Sequence, residues 1–565
     1  MMDKKTIQVV IACLVALVLW QTLVGKIYPP KPKSKTARPP APSAMSTAAV
    51  AQAQSAKSVE KPTEPVKEAV AEPAESRPAE QIVTLTNDFV RMEFTSWGGG
   101  VRSVELLKHR NNGSGNVDLN GKDFVPALAL SGIANAGPDA AYTVEQPAAH
   151  ALVMKRRTKQ GLEITKTFTL GEAYLVSNTV EIARAPQASE PLPATAEFVI
   201  GTATPANAKE PPNFLTASWL MGEKYQYREL GQIAKNASKG VSNEMANARW
   251  AAVKNQFFTM LLTPSTNASE IAYTQVVLTP PADWKAKQPP QGVSATLKLV
   301  PTATTSNLSE RYEFTWYAGP KEYERLAALH GGQEEVMQFG FWSVISVVLL
   351  KSMTFFYGLI PNYGVAIIIT ILIKILFWPI QAKSIKSMKA MQKFQPLMNK
   401  LREKYKDDAP RLNTEMMKLY KEHKINPFAG CLPMVVQIPV FFALFAMLRS
   451  AIELRGASFL WIQDLSQPDT IAHLLGFPVN PLPIAMGASM IWQMKLTPSG
   501  GDPKQQQMMM FMPLMMLYFF YSSSSGLVLY WTVQQFLSIG QQWWSMRQAD
   551  TAAPAVPLTS TGKTK

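Results

Sequence analysis

Cysteine is nearly absent from this chain. Cys13 and Cys431 are the whole complement and both fall in apolar segments, so no disulfide framework holds the fold together. The five histidines, His109, His150, His330, His423 and His473, are scattered. None sits in an HExxH pattern or a Cys/His cluster, so the sequence offers no metal site and implies no cofactor. Between residue 27 and the middle of the chain there is no long hydrophobic run, which confines membrane spans to the extreme N-terminus and the second half. The later apolar runs contain no Asp or Glu at mid-depth, and no inverted repeat is visible, so the carboxylate relay and internal symmetry of a coupled transporter are both missing. A P-loop is missing too: Gly562-Lys563-Thr564 has Pro557 where the first glycine belongs. No catalytic residue set emerges.

What is present is apolar and basic. Hydrophobic residues make up 47% of the 565, and the net charge is +15. In a soluble protein that charge suggests nucleic acid; beside long apolar runs it reads as cytoplasmic loops rich in Lys and Arg, with ribosomal RNA contact still compatible. Residues 7–24 can span, follow Lys4 and Lys5, and lack a cleavage site, so 1–26 is expected to be an uncleaved transmembrane signal anchor. Residues 27–80, rich in Pro, Ala, Lys, Glu and Ser, bury too little to offset their ordering entropy and are expected to form a disordered tether.

From residue 81 the texture changes to β-type alternation. In GLEITKTFTL, residues Leu162, Ile164, Phe168 and Leu170 line one strand face. Similar strands between Pro, Gly and Asn loops predict a large all-β sandwich over 81–333. Residues 334–357 are expected to form an interfacial amphipathic helix, with Trp342, Ile345 and Leu349 on one face; an ordinary helix packed on the β domain is the alternative. Five further spans are expected near 361–380, 429–449, 478–496, 508–523 and 526–546, giving six transmembrane helices, five of them forming a core over 358–546. Residues 547–565 are expected to make a disordered cytoplasmic tail.

The loop 381–427 carries twelve basic residues against five acidic ones and therefore belongs in the cytoplasm. Counting from it puts both termini inside and the β domain outside. The basic residues Lys26, Lys31, Lys33, Lys35 and Arg38 point the first span the other way, but five spans depend on the central loop. The loop reads as a helical hairpin turning at Asp407-Asp408-Ala409-Pro410, with Pro396 kinking the first helix. Met388, Met391, Met398 and Leu401 form one apolar stripe, and Leu412, Met416 and Leu419 another. They are either a methionine surface for varied apolar clients or two stripes that simply pack together.

Lys374 lies in an apolar span, five residues before Pro379, so about 8 Å from the cytoplasmic end. It either snorkels to the interface or faces a hydrated cavity between helices. Thr370 shares its face, and Gln437, Gln493, Gln534 and Gln535 add amides in later spans, which favours the cavity.

The strings IIITILIKILFWP, NPFAGCLPMVVQIPVFFALF, DPKQQQMMMFMP and GLVLYWTVQQ resemble the YidC/Oxa/Alb insertase family over residues 340–546. The anchor, tether and β domain resemble the Gram-negative form, whose β domain is a periplasmic supersandwich. The resemblance implies a polytopic α-helical protein of the bacterial inner membrane that inserts and helps fold other membrane proteins through a positively charged hydrophilic groove. It implies nascent membrane proteins, the Sec translocon and its accessory subunits, the ribosome (weakly, since the tail holds just Lys563 and Lys565) and the phospholipid bilayer as partners, with no small-molecule substrate. In that resemblance Lys374 takes the place of the groove cation, usually Arg, and Thr370 keeps the family threonine. Gln437 matches a groove amide, Pro433, Pro439 and Phe441 match client-facing positions, and Phe519, Tyr530 and Trp531 supply aromatic contacts. Two other classes stand beside it. A transporter or channel would show solute flux, and a membrane-anchored periplasmic carbohydrate-binding protein would show glycan binding by 81–330.

Overall fold

The computed structural model describes residues 78–550, apart from 112–114, 187, 189–190, 208–209, 237–241, 280–288, 306–307, 363–364, 407, 424–431 and 497–502. The expected anchor, nearly all of the tether, both cysteines and the tail beyond Asp550 lie outside the described residues, as do the side chains of Met388 and Pro433.

The first half is a large β-sandwich. A four-stranded antiparallel meander covers 82–119, and a fourteen-stranded sheet covers 130–320. The large sheet turns back on itself at Ser242–Lys254. The first part of that strand pairs with Ala268–Val277 and the last part with Phe258–Pro264, so one strand belongs to both layers. The layers meet through aromatic side chains: Phe198 and Phe314 have ring centroids 4.8 Å apart, and Trp316 donates its indole N–H to the Ile200 carbonyl at 3.0 Å. A buried Trp whose polar tip finds a partner contributes area at no unsatisfied-donor penalty. The sandwich begins slightly earlier than residue 81, because Thr95 bonds the Glu80 carboxylate at 2.6 Å and Trp97 bonds the Pro78 carbonyl at 3.2 Å.

Strand Leu162–Leu170 alternates as expected, with Leu162, Ile164, Phe168 and Leu170 inward, but Lys166 also points inward and is fully buried. Its ammonium donates to the carbonyls of Gly98, Gly99 and Leu128 at 2.8–3.1 Å and lies 4.9 Å from the Tyr142 ring. Gly98 and Gly99 have positive φ, 72° and 55°, which aims both carbonyls at one point. Lys166 thus ties the small sheet to the large one.

Ten helices are described: α1 (Leu230–Asn236), α2 (Tyr323–Ala327), α3 (Ser343–Leu359), α4 (Val365–Lys393), α5 (Gln395–Lys404), α6 (Ala409–Glu422), α7 (Leu432–Ser450), α8 (Pro481–Leu496), α9 (Pro503–Phe520) and α10 (Ser525–Asp550). Five of them, α4, α7, α8, α9 and α10, stand where the five core spans are expected. Three details differ from the sequence reading. The interfacial helix begins at Ser343 rather than 334, after two 3-10 turns, and has no strongly polar face. Ser346, Leu349, Leu350 and Met353 are buried, with Ser346 bonded to the Ala443 carbonyl of α7 at 2.9 Å, while Val344, Val348 and Phe355 are exposed. The stretch Gly340–Leu359 is long and apolar enough to cross a membrane. Secondly, α4 runs through Pro379 to Lys393, so the helix does not end at the proline. Thirdly, Pro396 does not kink a helix; it occupies the first turn of α5, where its missing N–H costs nothing. The turn at Asp408 is as expected, with its carboxylate capping the Arg411 N–H at 3.0 Å.

The sandwich is joined to α3 through a second buried lysine. Lys254 donates to the Val336 carbonyl and to Gln338, both at 2.6 Å, and burial holds its pKa well below the usual lysine value.

Replacing Lys166 with Met is expected to leave three carbonyls without their donor and to destabilise the sandwich by about 2–4 kcal/mol, read as a lower denaturant midpoint. Burial lowers the Lys166 pKa from 10.5 to about 7, so above pH 7 the unfolded chain binds the extra proton. Stability should therefore rise with pH between those two values, and Lys166→Met should rise less steeply.

Candidate functional site

The helices expose a broad apolar surface. Ile375 and Leu376 on α4, Val435 and Phe442 on α7, and Phe511, Leu514 and Tyr518 on α9 all point outward. So much contiguous apolar surface fits lipid rather than water. Polar side chains on α4, α7 and α10 instead turn toward one another.

Lys374 does not point to the lipid-facing side of α4. It is 4% exposed and its ammonium donates to Ser538 Oγ on α10 at 2.7 Å; Thr370, one turn earlier, is fully buried. Ser538 in turn donates to the Gln534 carbonyl at 2.8 Å. An ammonium has three N–H donors, and Ser538 is its hydrogen-bond acceptor among the described residues, so donor capacity remains. The snorkelling alternative does not describe this conformation.

Farther along the seam, Gln437 on α7 donates to the Tyr530 hydroxyl at 2.8 Å, and Gln534 donates to the Gln437 side-chain oxygen at 3.5 Å. Gln534 Oε1 and the Trp531 indole N–H are buried with no partner among the described residues. Buried polar atoms without partners are rare in a finished core and suit a surface completed by a ligand. Next comes a layer of rings: Phe441 lies 4.8 Å edge-on from Trp531, and Phe520 stacks on Trp531 at 6.0 Å. Polar groups therefore occupy the part of the seam nearer Lys374, and aromatic rings close the other part.

Thr370, Lys374, Gln437, Phe441, Tyr530 and Trp531 thus come together. Pro439 is half-buried on the same helix as Gln437 and Phe441. Phe519 does not join the rings; it is 65% exposed, and its neighbour Phe520 takes that place. The loop residues lie elsewhere: Met388 and Met391 on α4, Met398 and Leu401 on α5, Met416 on α6. Met398 is buried, and Met391, Leu401 and Met416 are half-buried. Sequence reading missed Ser538 and Phe520. The first had a signal, since it lies four residues beyond Gln534 on the same helix face.

A β-sandwich joined to apolar helices that enclose a polar, cation-bearing seam defines a membrane-embedded protein with a large extramembrane domain. Two family models match: one described as 60Kd inner membrane protein covers residues 355–552, and one described as YidC periplasmic domain covers 82–352. The membrane protein insertase YidC of Syntrophus aciditrophicus (strain SB) is 34% identical over 584 residues, 97% of this chain and 100% of its own. That of Pelobacter propionicus is 33% identical over 482 residues, 82% of this chain and 86% of its own. Among solved structures, an active YidC insertase with its first transmembrane domain resolved aligns with a TM-score of 0.33 and 15% identity, over 84% of this chain and 93% of that one. The chain belongs to the YidC family of membrane protein insertases, inner-membrane proteins with a periplasmic domain.

Tyr530→Phe is expected to strip the Gln437 amide of its acceptor and to lower stability by about 1–3 kcal/mol, seen as a lower melting temperature in detergent.

Proposed function

We propose that this protein inserts and helps fold integral membrane proteins of the bacterial inner membrane through the seam between α4, α7 and α10. The observation that carries the reading is Lys374, a cation on an apolar helix that faces α10 and Ser538 instead of lipid. A buried ammonium with unused donors is a point of attraction for the acidic or strongly polar outer segment of a client. Such a segment loses its hydration on entering hydrocarbon, at a cost of several kcal/mol per unpaired group, and a polar stop midway divides that barrier. Gln437, Gln534 and the Trp531 N–H offer further hydrogen bonds along the way. The apolar helix of the client meanwhile partitions along the exposed apolar faces of α4 and α9. Membrane potential acting on acidic segments adds to the drive.

In this reading the first span and five core helices cross the membrane, both termini are cytoplasmic, and the sandwich is periplasmic. The central basic loop supports that orientation. The methionine-bearing helices α5 and α6 would receive nascent clients on the cytoplasmic side, with the ribosome, and the Sec translocon would work beside the seam; the basic charge of the loop supports the first of these. Lys in place of the usual groove Arg keeps a single positive charge but gives up bidentate pairing.

In proteoliposomes holding this protein alone, a single-span client with an acidic outer segment is expected to insert with wild type and Lys374→Arg. Lys374→Ala should lower its insertion about tenfold or more, as loss of one charge-assisted contact implies. Equal insertion by all three would remove Lys374 from the mechanism.

A further inference from the structure

Along α7, Gln437, Phe441, Phe445 and Arg449 recur every fourth residue and so lie on one helix face. That face runs about 18 Å at helical rise, from the polar seam, past the rings, to the outer end of the helix. There it opens into a cleft of about 500 Å³ between the helical core and the sandwich. Phe445 and Arg449 of α7, Phe519 and Phe520 of α9, and the Ser522–Ser524 turn line it from the core; Phe214, Glu210 and Gln256 line it from the sandwich. Phe520 thus borders both the ring layer and the cleft.

The Arg449 guanidinium is held between the rings of Phe214 and Phe445, 4.6 and 4.7 Å from their centroids. Its own backbone carbonyl is fixed by Gln256 Nε2 at 2.7 Å. It makes no contact ion pair among the described residues, and Glu229 attracts it only through space. Glu210, the carboxylate in the cleft wall, is already engaged: its two oxygens accept the backbone N–H groups of Ala206 and Gln256. Burial also raises its pKa to about 7, which weakens its claim as a counter-ion. Ser524 Oγ is buried with no partner. A guanidinium fixed between two rings, with no salt-bridge partner in contact, in a cleft whose lining also holds an unpaired hydroxyl is a site for carboxylates.

We propose that this cleft is a second station on the insertion path, where Arg449 receives the acidic segment of a client after it passes the Phe441–Phe520–Trp531 rings. The proposal rests on the seam reading and extends it outward. Lys374 draws the segment in from the cytoplasmic side, and Arg449 holds it on the far side of the rings, against slipping back.

The test uses the full chain carrying Cys13→Ser and Cys431→Ser in proteoliposomes. The client has one span and a single cysteine in its outer segment, flanked by aspartates or, in a control, by asparagines. Reporter cysteines are placed at Ser523→Cys in the cleft and, separately, at Gln541→Cys, where α10 meets Trp378 of α4 along the seam. Disulfide capture at Ser523→Cys is expected to favour the aspartate client roughly tenfold. Arg449→Gln should reduce it to the asparagine level and Arg449→Lys should preserve it, while capture at Gln541→Cys stays the same in all three backgrounds. Capture at Ser523→Cys that ignores client charge or residue 449, or that never occurs while Gln541→Cys still captures, overturns the cleft proposal alone. Failure of capture at both positions overturns the seam reading and the cleft with it.

Discussion

An ammonium carried on an apolar helix has to be turned away from hydrocarbon, because leaving it there costs about 3 kcal/mol or more. Lys374 meets that constraint by facing α10, where Ser538 accepts one of its N–H groups at 2.7 Å. The rest of the core follows from this choice. A cation can face a neighbour only if that neighbour presents acceptors, so α10 carries Ser538 and Gln534 on the side facing α4, where Trp544 also meets Trp378 with ring centroids 5.5 Å apart. Once α4 and α10 share a polar seam, α7 must close it with side chains that are polar at one end and apolar at the other. Gln437 and Phe441 do so one turn apart. The seam therefore changes from hydrogen-bonding to aromatic along its length.

The sandwich is fastened to this core by polar contacts that range from exposed to buried. Gln256 reaches the Arg449 carbonyl, Arg455 donates to the Arg110 carbonyl at 2.8 Å and lies over Phe258, and Lys254 holds the segment that leads into α3. Buried polar groups confer direction that apolar packing lacks, since each is costly unless its partner sits in place. These contacts fix the sandwich at the C-terminal end of α7.

Much of this was legible in the sequence, and the limits have physical causes. The five apolar runs marked α4, α7, α8, α9 and α10, because a helix in lipid needs an unbroken apolar stretch. The even spacing in 162–170 gave a strand and its inner face, yet Lys166 at the same spacing went unread, because its stabilisation comes from carbonyls 38 to 68 residues away. Pro396 looked like a kink, but whether a proline bends a helix or starts one depends on a break at Phe394 that no local pattern announces. Ser538 could not be paired with Lys374 without knowing that α4 and α10 are neighbours, although its spacing from Gln534 was in view. Phe519 and Phe520 are adjacent, and helix rotation alone decides which one joins Trp531.

Arg449 shows how such a residue escapes notice. At the end of an apolar helix it passes for an ordinary interfacial cation, of the kind that marks the boundary of a span. What distinguishes it is its surroundings: two rings hold the guanidinium in place, the nearby carboxylate is occupied by backbone N–H groups, and the same helix face leads back to the polar seam. An interfacial arginine that served only as an anchor would be free to follow the headgroups. One fixed between Phe214 and Phe445 has given up that freedom and its side-chain entropy, which a purely anchoring role does not require. The stripe on α7 therefore reads as a single surface with a cation beyond its rings and the polar contacts of Gln437 before them, and in the proposed path those rings are the step between Lys374 and Arg449.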